Sequence, residues 1–196
     1  MAEQLQTATG PSIRPDRSFT PDRSHVSPVT TREELIYLLS RACELEHGLA
    51  CIYLFAAHSL KSDIAEGGMT QEQVPMVRRW RAHLARVAVE EMLHLAQASN
   101  LLTAIGGAPN FRRTNFPLPP SAFPFGLSLT LEPFSTLTIE RFVTYELPEP
   151  GILSPEDQAV CDAVRARVIA AQGVYAAGRL DIEDVRGLEP FEIDFT

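Results

Sequence analysis

Residues 87–109, VAVEEMLHLAQASNLLTAIGGAP, decide the fold of this chain. Their apolar residues recur three and four positions apart, which is the period of one face of an α-helix. Two residues on that apolar stripe are polar, Glu91 and His94. Because they lie three positions apart, the sequence predicts that they share one helix face about one turn apart.

A carboxylate and an imidazole that face a core cost free energy unless something pairs with them. A metal ion satisfies both groups, and Glu-x-x-His on an inward helix face is the half-site unit of di-iron and di-manganese helical bundles. The alternative is a buried ion pair between Glu91 and His94, which is costly to desolvate. The sequence therefore predicts that Glu91 and His94 are metal ligands.

A first long helix, helix A, is predicted over residues 31–61. Thr31 followed by Glu34 fits a capping box at its start. Glu46 falls inside the apolar stripe of this helix, which makes it a third candidate metal ligand. The alternative for Glu46 is a rim residue, or a buried acid that a neighbouring arginine or tyrosine satisfies.

Helix B is predicted over residues 70–105, after a turn at Gly67 and Gly68, and Pro109 follows its end. Two long helices joined by a short loop are expected to be antiparallel neighbours, which can bring Glu46 level with Glu91 and His94. Four further polar residues lie off the stripes and are expected to flank the site without binding metal: His47, His58, His83 and Glu90.

The remainder of the chain is less regular. Residues 1–29 are rich in Pro, Ser, Thr, Asp and Arg, which predicts a disordered tail or, alternatively, an arm that wraps a partner. One domain is expected over residues 30–196. Its connection at 108–134 is rich in proline and phenylalanine and is expected to pack across the helices, with a short strand at 127–131. Shorter helices are predicted over residues 135–146 and 155–179.

Composition excludes several classes of protein. The formal net charge of −8 disfavours nucleic acid or an anionic membrane as the main partner. The N-terminus has no apolar segment typical of a secretory signal, and the longest apolar run, residues 49–57, is too short to span a bilayer. The 3 cysteines form no CxxC pair. A reducing, cytoplasmic location is therefore expected.

Four segments carry a resemblance to a known family. CELEHGLACIYL, VAVEEMLHLAQASNLLTAIGGAPNF, NFPLPP and FVTYELPEP resemble the ferritin-like domain of the iminophenyl-pyruvate dimer synthase family, the violacein-type and rebeccamycin-type pigment-pathway enzymes. The resemblance covers residues 31–150 and implies an all-α, ferritin-like helical bundle. It maps the first-helix glutamate of the family to Glu46 and its Glu-x-x-His to Glu91 and His94. It also maps an acid of the family to Glu146, a weaker candidate ligand whose alternative is an ordinary helix-end residue.

The sequence departs from the family in its second half. A full ferritin-like bundle has four helices, and the third and fourth supply another Glu and another Glu-x-x-His. The nearest segment here, QGVYAAG at residues 172–178, has Val174 where an acid is expected. We therefore expect this chain to be the N-terminal half of a longer protein or, alternatively, a truncated relative, and in either case to show only half of the metal site.

Two functions follow from the resemblance. In the first, iron or manganese, dinuclear if a second half-site exists, supports the oxidation of a small amino-acid-derived imine or enamine in secondary metabolism. In the second, the protein is a metal-binding or storage subunit, or a degenerate scaffold without metal. Such a subunit would complete its bundle as a homodimer in which each chain donates Glu46, Glu91 and His94.

Overall fold

The computed structural model of the protein describes residues 28–120, 127–148 and 152–176. Within these ranges the chain forms helices and no β-strand, so the fold is all-α as the sequence predicts. The helices are α1 (Arg32–Ser59), a short 3₁₀ turn (Ile64–Glu66), α2 (Val74–Ala104), α3 (Thr136–Tyr145) and α4 (Pro155–Ala176). The predicted disordered tail at 1–29 lies outside the described residues, apart from its last two positions.

Local sequence signals determine both ends of the two long helices. The Thr31 side chain accepts a hydrogen bond from the Glu34 backbone N–H at 3.1 Å, which caps the start of α1. Helix α2 begins four residues later than predicted, because residues 71–73 form a turn before it. At its end the chain turns through Gly106, whose φ of 74° favours glycine. The Gly107 N–H then donates to the Leu102 carbonyl at 2.7 Å, which closes the helix.

The helices α1 and α2 are antiparallel neighbours, as predicted. At one end of the pair, the Arg32 guanidinium donates to the Ile105 carbonyl at 2.7 Å. At the other end, Arg81 donates to the Ala57 and Leu60 carbonyls at 3.1 and 2.9 Å. Since each arginine links the start of one helix to the end of the other, the middles of α1 and α2 lie side by side.

The irregular connection packs on the helices through its leucines. Leu118, Leu127 and Leu129 are buried in the same apolar cluster as residues of all four α-helices. The predicted strand at 127–131 is wrong, because only Leu118 and Leu129 pair, in an isolated antiparallel bridge. Leu118 and Leu129 exchange both backbone hydrogen bonds, so the next hydrogen-bonded pair along the ladder would be residues 120 and 127. Pro120 has no N–H to donate there, so the bridge cannot extend into a ladder in that direction.

The helices α3 and α4 pack against each other. Phe142 of α3 meets the Tyr53 ring of α1 edge to face, with centroids 4.5 Å apart. Val168 of α4 is fully buried in the main core. None of the described helices is long and apolar enough to cross a membrane.

Candidate metal centre

The packing of α1 on α2 brings three predicted ligand residues to one place. One possible ligand atom from each of Glu46, Glu91 and His94 lies within 4.8 Å of the others. His94 Nδ1 is 3.5 Å from Glu46 Oε2 and 3.6 Å from Glu91 Oε2. In the part of the chain that the structure describes, this is the one group of three or more metal-binding side chains.

The three side chains differ in burial. The Glu91 side chain is 5% exposed, that of Glu46 is 21% exposed, and that of His94 is 54% exposed. The expectation that His94 faces the core is wrong. Glu91 lies at the centre of the apolar face of α2, next to the fully buried Ala88, and a step of three residues rotates His94 to the side by about 60°. The site is therefore buried at Glu91, partly shielded at Glu46 and open to solvent at the His94 imidazole.

The two carboxyl groups have no guanidinium or ammonium partner among the described residues. Glu46 Oε2 is buried without a hydrogen-bond partner in the same part of the chain. Burial and then hydrogen bonding to Glu46 raise the pKa of Glu91 to about 8, and His94 opposes this rise only weakly. In the metal-free protein the Glu46–Glu91 pair therefore holds a proton more tightly than an ordinary carboxyl group does, at the place where a cation would bind.

These residues fit a divalent transition metal. Two carboxylates and one imidazole are ligand types that iron and manganese accept. A cation between them would satisfy the buried Glu46 oxygen and remove the repulsion between two adjacent carboxylates. The exposed side at His94 leaves room for further ligands.

Glu146, the weaker candidate from the sequence, is not part of this group. It follows the last residue of α3, is exposed, and accepts a hydrogen bond at Oε1 from the Tyr53 hydroxyl. Its charge nevertheless adds to the rise in the Glu91 pKa, so it lies near the cluster. The pairing of Tyr53 with Glu146 was not predicted, because the two residues are 93 positions apart and no local spacing connects them.

The other candidates that the sequence excludes also lie outside the group. His47 contacts the Phe111 carbonyl through Nδ1 at 3.1 Å, whereas His58 and His83 are exposed. Glu90 is exposed and pairs with Arg86 at 3.1 Å. The off-stripe positions of these residues were sufficient to separate them from Glu46 and Glu91.

Comparison with known proteins supports the family that the site suggests. A family model described as "Ferritin-like" matches residues 39–177. The 2-imino-3-(indol-3-yl)propanoate dimerase of Chromobacterium violaceum is 32% identical over 147 residues, covering 63% of this chain and 14% of the relative. Dichlorochromopyrrolate synthase of Lentzea aerocolonigenes is 26% identical over 138 residues, again covering 63% and 14%. No solved structure gives a significant match.

The chain thus spans about a seventh of the length of these two curated relatives. The family match itself covers most of the chain and includes all three residues of the cluster. Together with the all-α fold, this match assigns the chain to the ferritin-like family.

Proposed function

We propose that Glu46, Glu91 and His94 bind iron or manganese, and that the protein is an oxidoreductase acting on a small amino-acid-derived molecule in secondary metabolism. The observation that carries the proposal is a pair of adjacent, shielded carboxyl groups whose one cationic partner among residues 28–120, 127–148 and 152–176 is an exposed histidine. The names of both relatives support the substrate class, since one dimerises an indolyl imino acid and the other makes a chlorinated pyrrole acid.

The residues of this chain have separate roles in the proposal. Glu46 and Glu91 hold the cation where water is largely excluded, and Glu91 loses its proton when the cation binds. His94 completes the half-site at the solvent edge, where small molecules have access. A bound redox metal would supply one-electron and oxygen chemistry that amino-acid side chains lack.

A second candidate function is a metal-binding or storage subunit that completes its site with a second copy of the chain. This candidate is favoured by the open side of the cluster and by the apolar outer face of α2. On that face Val89, Met92 and Leu93 are 50%, 44% and 57% exposed. A symmetric dimer would pair two half-sites and give two Glu-x-x-His units around one metal pair.

Metal content per chain tests the proposal. The protein is loaded with Fe(II) or Mn(II) without oxygen, desalted and measured by elemental analysis, beside Glu91→Gln and the matched control Glu90→Gln. We expect about one or two metal ions per chain in the wild type and in Glu90→Gln, and a loss of metal in Glu91→Gln. Absence of metal in the wild type, or equal metal in both variants, would reject the site.

Oxygen consumption and particle mass separate the two candidate functions. For an oxidoreductase, oxygen uptake with an amino-acid-derived imine should depend on Glu91 and not on Glu90. For a storage subunit, metal should raise the particle mass from one chain to two, as measured by light scattering, with no substrate-dependent oxygen uptake.

A further inference from the structure

An open cavity of about 320 Å³ lies between α1, α2 and α3. The described residues of its walls are apolar apart from two, Tyr53 and Glu146. The apolar lining consists of Leu84, Val87, Ile139, Phe142, Val143 and Leu147. The volume is at the lower end of the range for small-molecule sites, which suits a single ring with a short chain.

The cavity adjoins the metal cluster. Val87 and Leu84 precede Glu91 on α2 by four and seven residues, which corresponds to about one and two helical turns on the same face. Tyr53 and Glu146 line the cavity, and the charge of Glu146 acts on Glu91. A molecule in the cavity would therefore lie beside the proposed metal.

Among the described residues, Glu146 is the one charged residue in the lining. Its Oε1 accepts the Tyr53 hydroxyl hydrogen bond, while its Oε2 takes part in no hydrogen bond or ion pair among the described residues. The part of the lining that the structure describes contains no lysine, arginine or histidine that would attract an anion. The rings of Phe142 and Tyr53 supply aromatic surface to the lining, and they pack edge to face with their centroids 4.5 Å apart.

We propose that this cavity binds a small arylalkylamine, whose ring packs against the apolar lining and whose ammonium group donates a hydrogen bond to Glu146. The Tyr53 hydroxyl donates a hydrogen bond to Oε1, which holds the Glu146 side chain at the edge of the cavity and leaves Oε2 available to an ammonium group. A charged hydrogen bond of this kind discriminates between an ammonium group and a neutral hydroxyl of similar size. The inference rests on the proposed function for the chemistry that follows binding, whereas binding itself needs no metal.

The test compares phenethylamine with 2-phenylethanol, two probes of nearly equal shape, by NMR titration of the metal-free protein in the presence of EDTA. We expect phenethylamine to bind about tenfold more tightly than the alcohol. Glu146→Gln should bring the two affinities to within about twofold, whereas the exposed control Glu72→Gln should keep the difference. Equal affinities in the wild type would overturn the assignment.

A second variant locates the binding. Val143 is 43% exposed, so Val143→Trp can fill the cavity without disturbing the core, and it should weaken both probes. Unchanged binding in Val143→Trp would show that the probes bind elsewhere and would overturn the inference. Metal content gives a further check, since a loss of metal in Glu146→Gln would make Glu146 a metal ligand and would also overturn it. If the wild-type protein selects the amine but takes up no metal, the metal proposal fails and the amine inference stands.

Discussion

The acidic residues beside α3 and α4 have different partners from those between α1 and α2. Beside α3, Glu132 meets the buried Arg141 at 2.9 Å, and Glu140 of α3 meets Arg167 of α4 at 2.6 Å. Between α1 and α2, the exposed imidazole of His94 is the one basic group that pairs with the two carboxyl groups of the cluster in the part of the chain that the structure describes. A guanidinium partner compensates the charge of a shielded carboxylate, so that removing it is costly, whereas two shielded carboxyl groups without such a partner indicate a place for a cation.

The largest effect is expected where a buried pair is broken. Arg141→Met should lower the free energy of unfolding by about 3–5 kcal/mol, because it leaves Glu132 shielded from solvent without its cation. The Arg141 side chain is 4% exposed and that of Glu132 is 13% exposed, so water can replace little of the lost contact. Urea unfolding followed by circular dichroism measures the change.

The control for that variant is Arg86→Met on α2. The Arg86 side chain is 78% exposed and pairs with Glu90 on the surface of the helix, so its loss should change the free energy of unfolding by less than about 1 kcal/mol. If both arginine variants had the same effect, burial would not be what distinguishes the two kinds of pair.

Metal binding should stabilise the α1–α2 half. At a Mn(II) concentration one hundred times its dissociation constant, the linkage is worth about 2.7 kcal/mol, or roughly 5–10 °C in melting temperature for a chain of this length. The shift should persist in Glu90→Gln and disappear in Glu91→Gln, as measured by thermal unfolding. If Mn(II) raised the melting temperature of Glu91→Gln as much as that of the wild type, the ion would bind elsewhere. The carboxyl groups between α1 and α2 would then not be a cation site.

The α1–α2 half could be predicted from the sequence because its signals are local. Helical periodicity, a threonine cap at Thr31 and a glycine stop at Gly106 determine the two helices. The acids on each apolar stripe then follow from spacing, and a short loop implies the antiparallel pairing that brings Glu46 to Glu91. One prediction in this half was wrong: spacing places His94 on the core face, but its side chain is 54% exposed. Spacing shows which residues share a helix face, whereas burial also depends on which part of that face the neighbouring helix covers.

The other half depends on contacts between distant residues, which spacing does not encode. Tyr53 and Glu146 meet across 93 positions, and Glu140 pairs with Arg167 across 27. The strand expected at 127–131 was reduced to one bridge, because its partner segment is interrupted by prolines. The cavity arises only when α3 packs beside the first two helices, so no pattern within α3 could predict it.

A third effect concerns the pH dependence of stability in the metal-free protein. Since burial and the contact with Glu46 raise the Glu91 pKa from 4.5 to about 8, the folded state keeps a proton that the unfolded chain loses above pH 4.5. Stability should therefore fall as pH rises through this window, with a slope of at most about 1.4 kcal/mol per pH unit for one proton. Glu91→Gln removes this proton, and its unfolding free energy in EDTA should depend less on pH. Parallel pH curves for the two proteins would contradict the assigned cause.

The smallest change in unfolding free energy is expected for Glu90→Gln, one position before Glu91. Glu90 has a side chain that is 48% exposed and an exposed partner in Arg86, so Glu90→Gln should cost only about 0.3–0.5 kcal/mol at low ionic strength. The loss should vanish in 1 M NaCl, where screening acts within about 3 Å. At pH 8 without metal, Glu91→Gln should instead stabilise the protein, because the amide needs no counter-charge. Opposite signs at adjacent glutamates would show that burial opposite Glu46, and not position along α2, makes Glu91 available to a cation. Equal signs would mean that the helix as a whole sets the response and that the carboxyl pair has no special role.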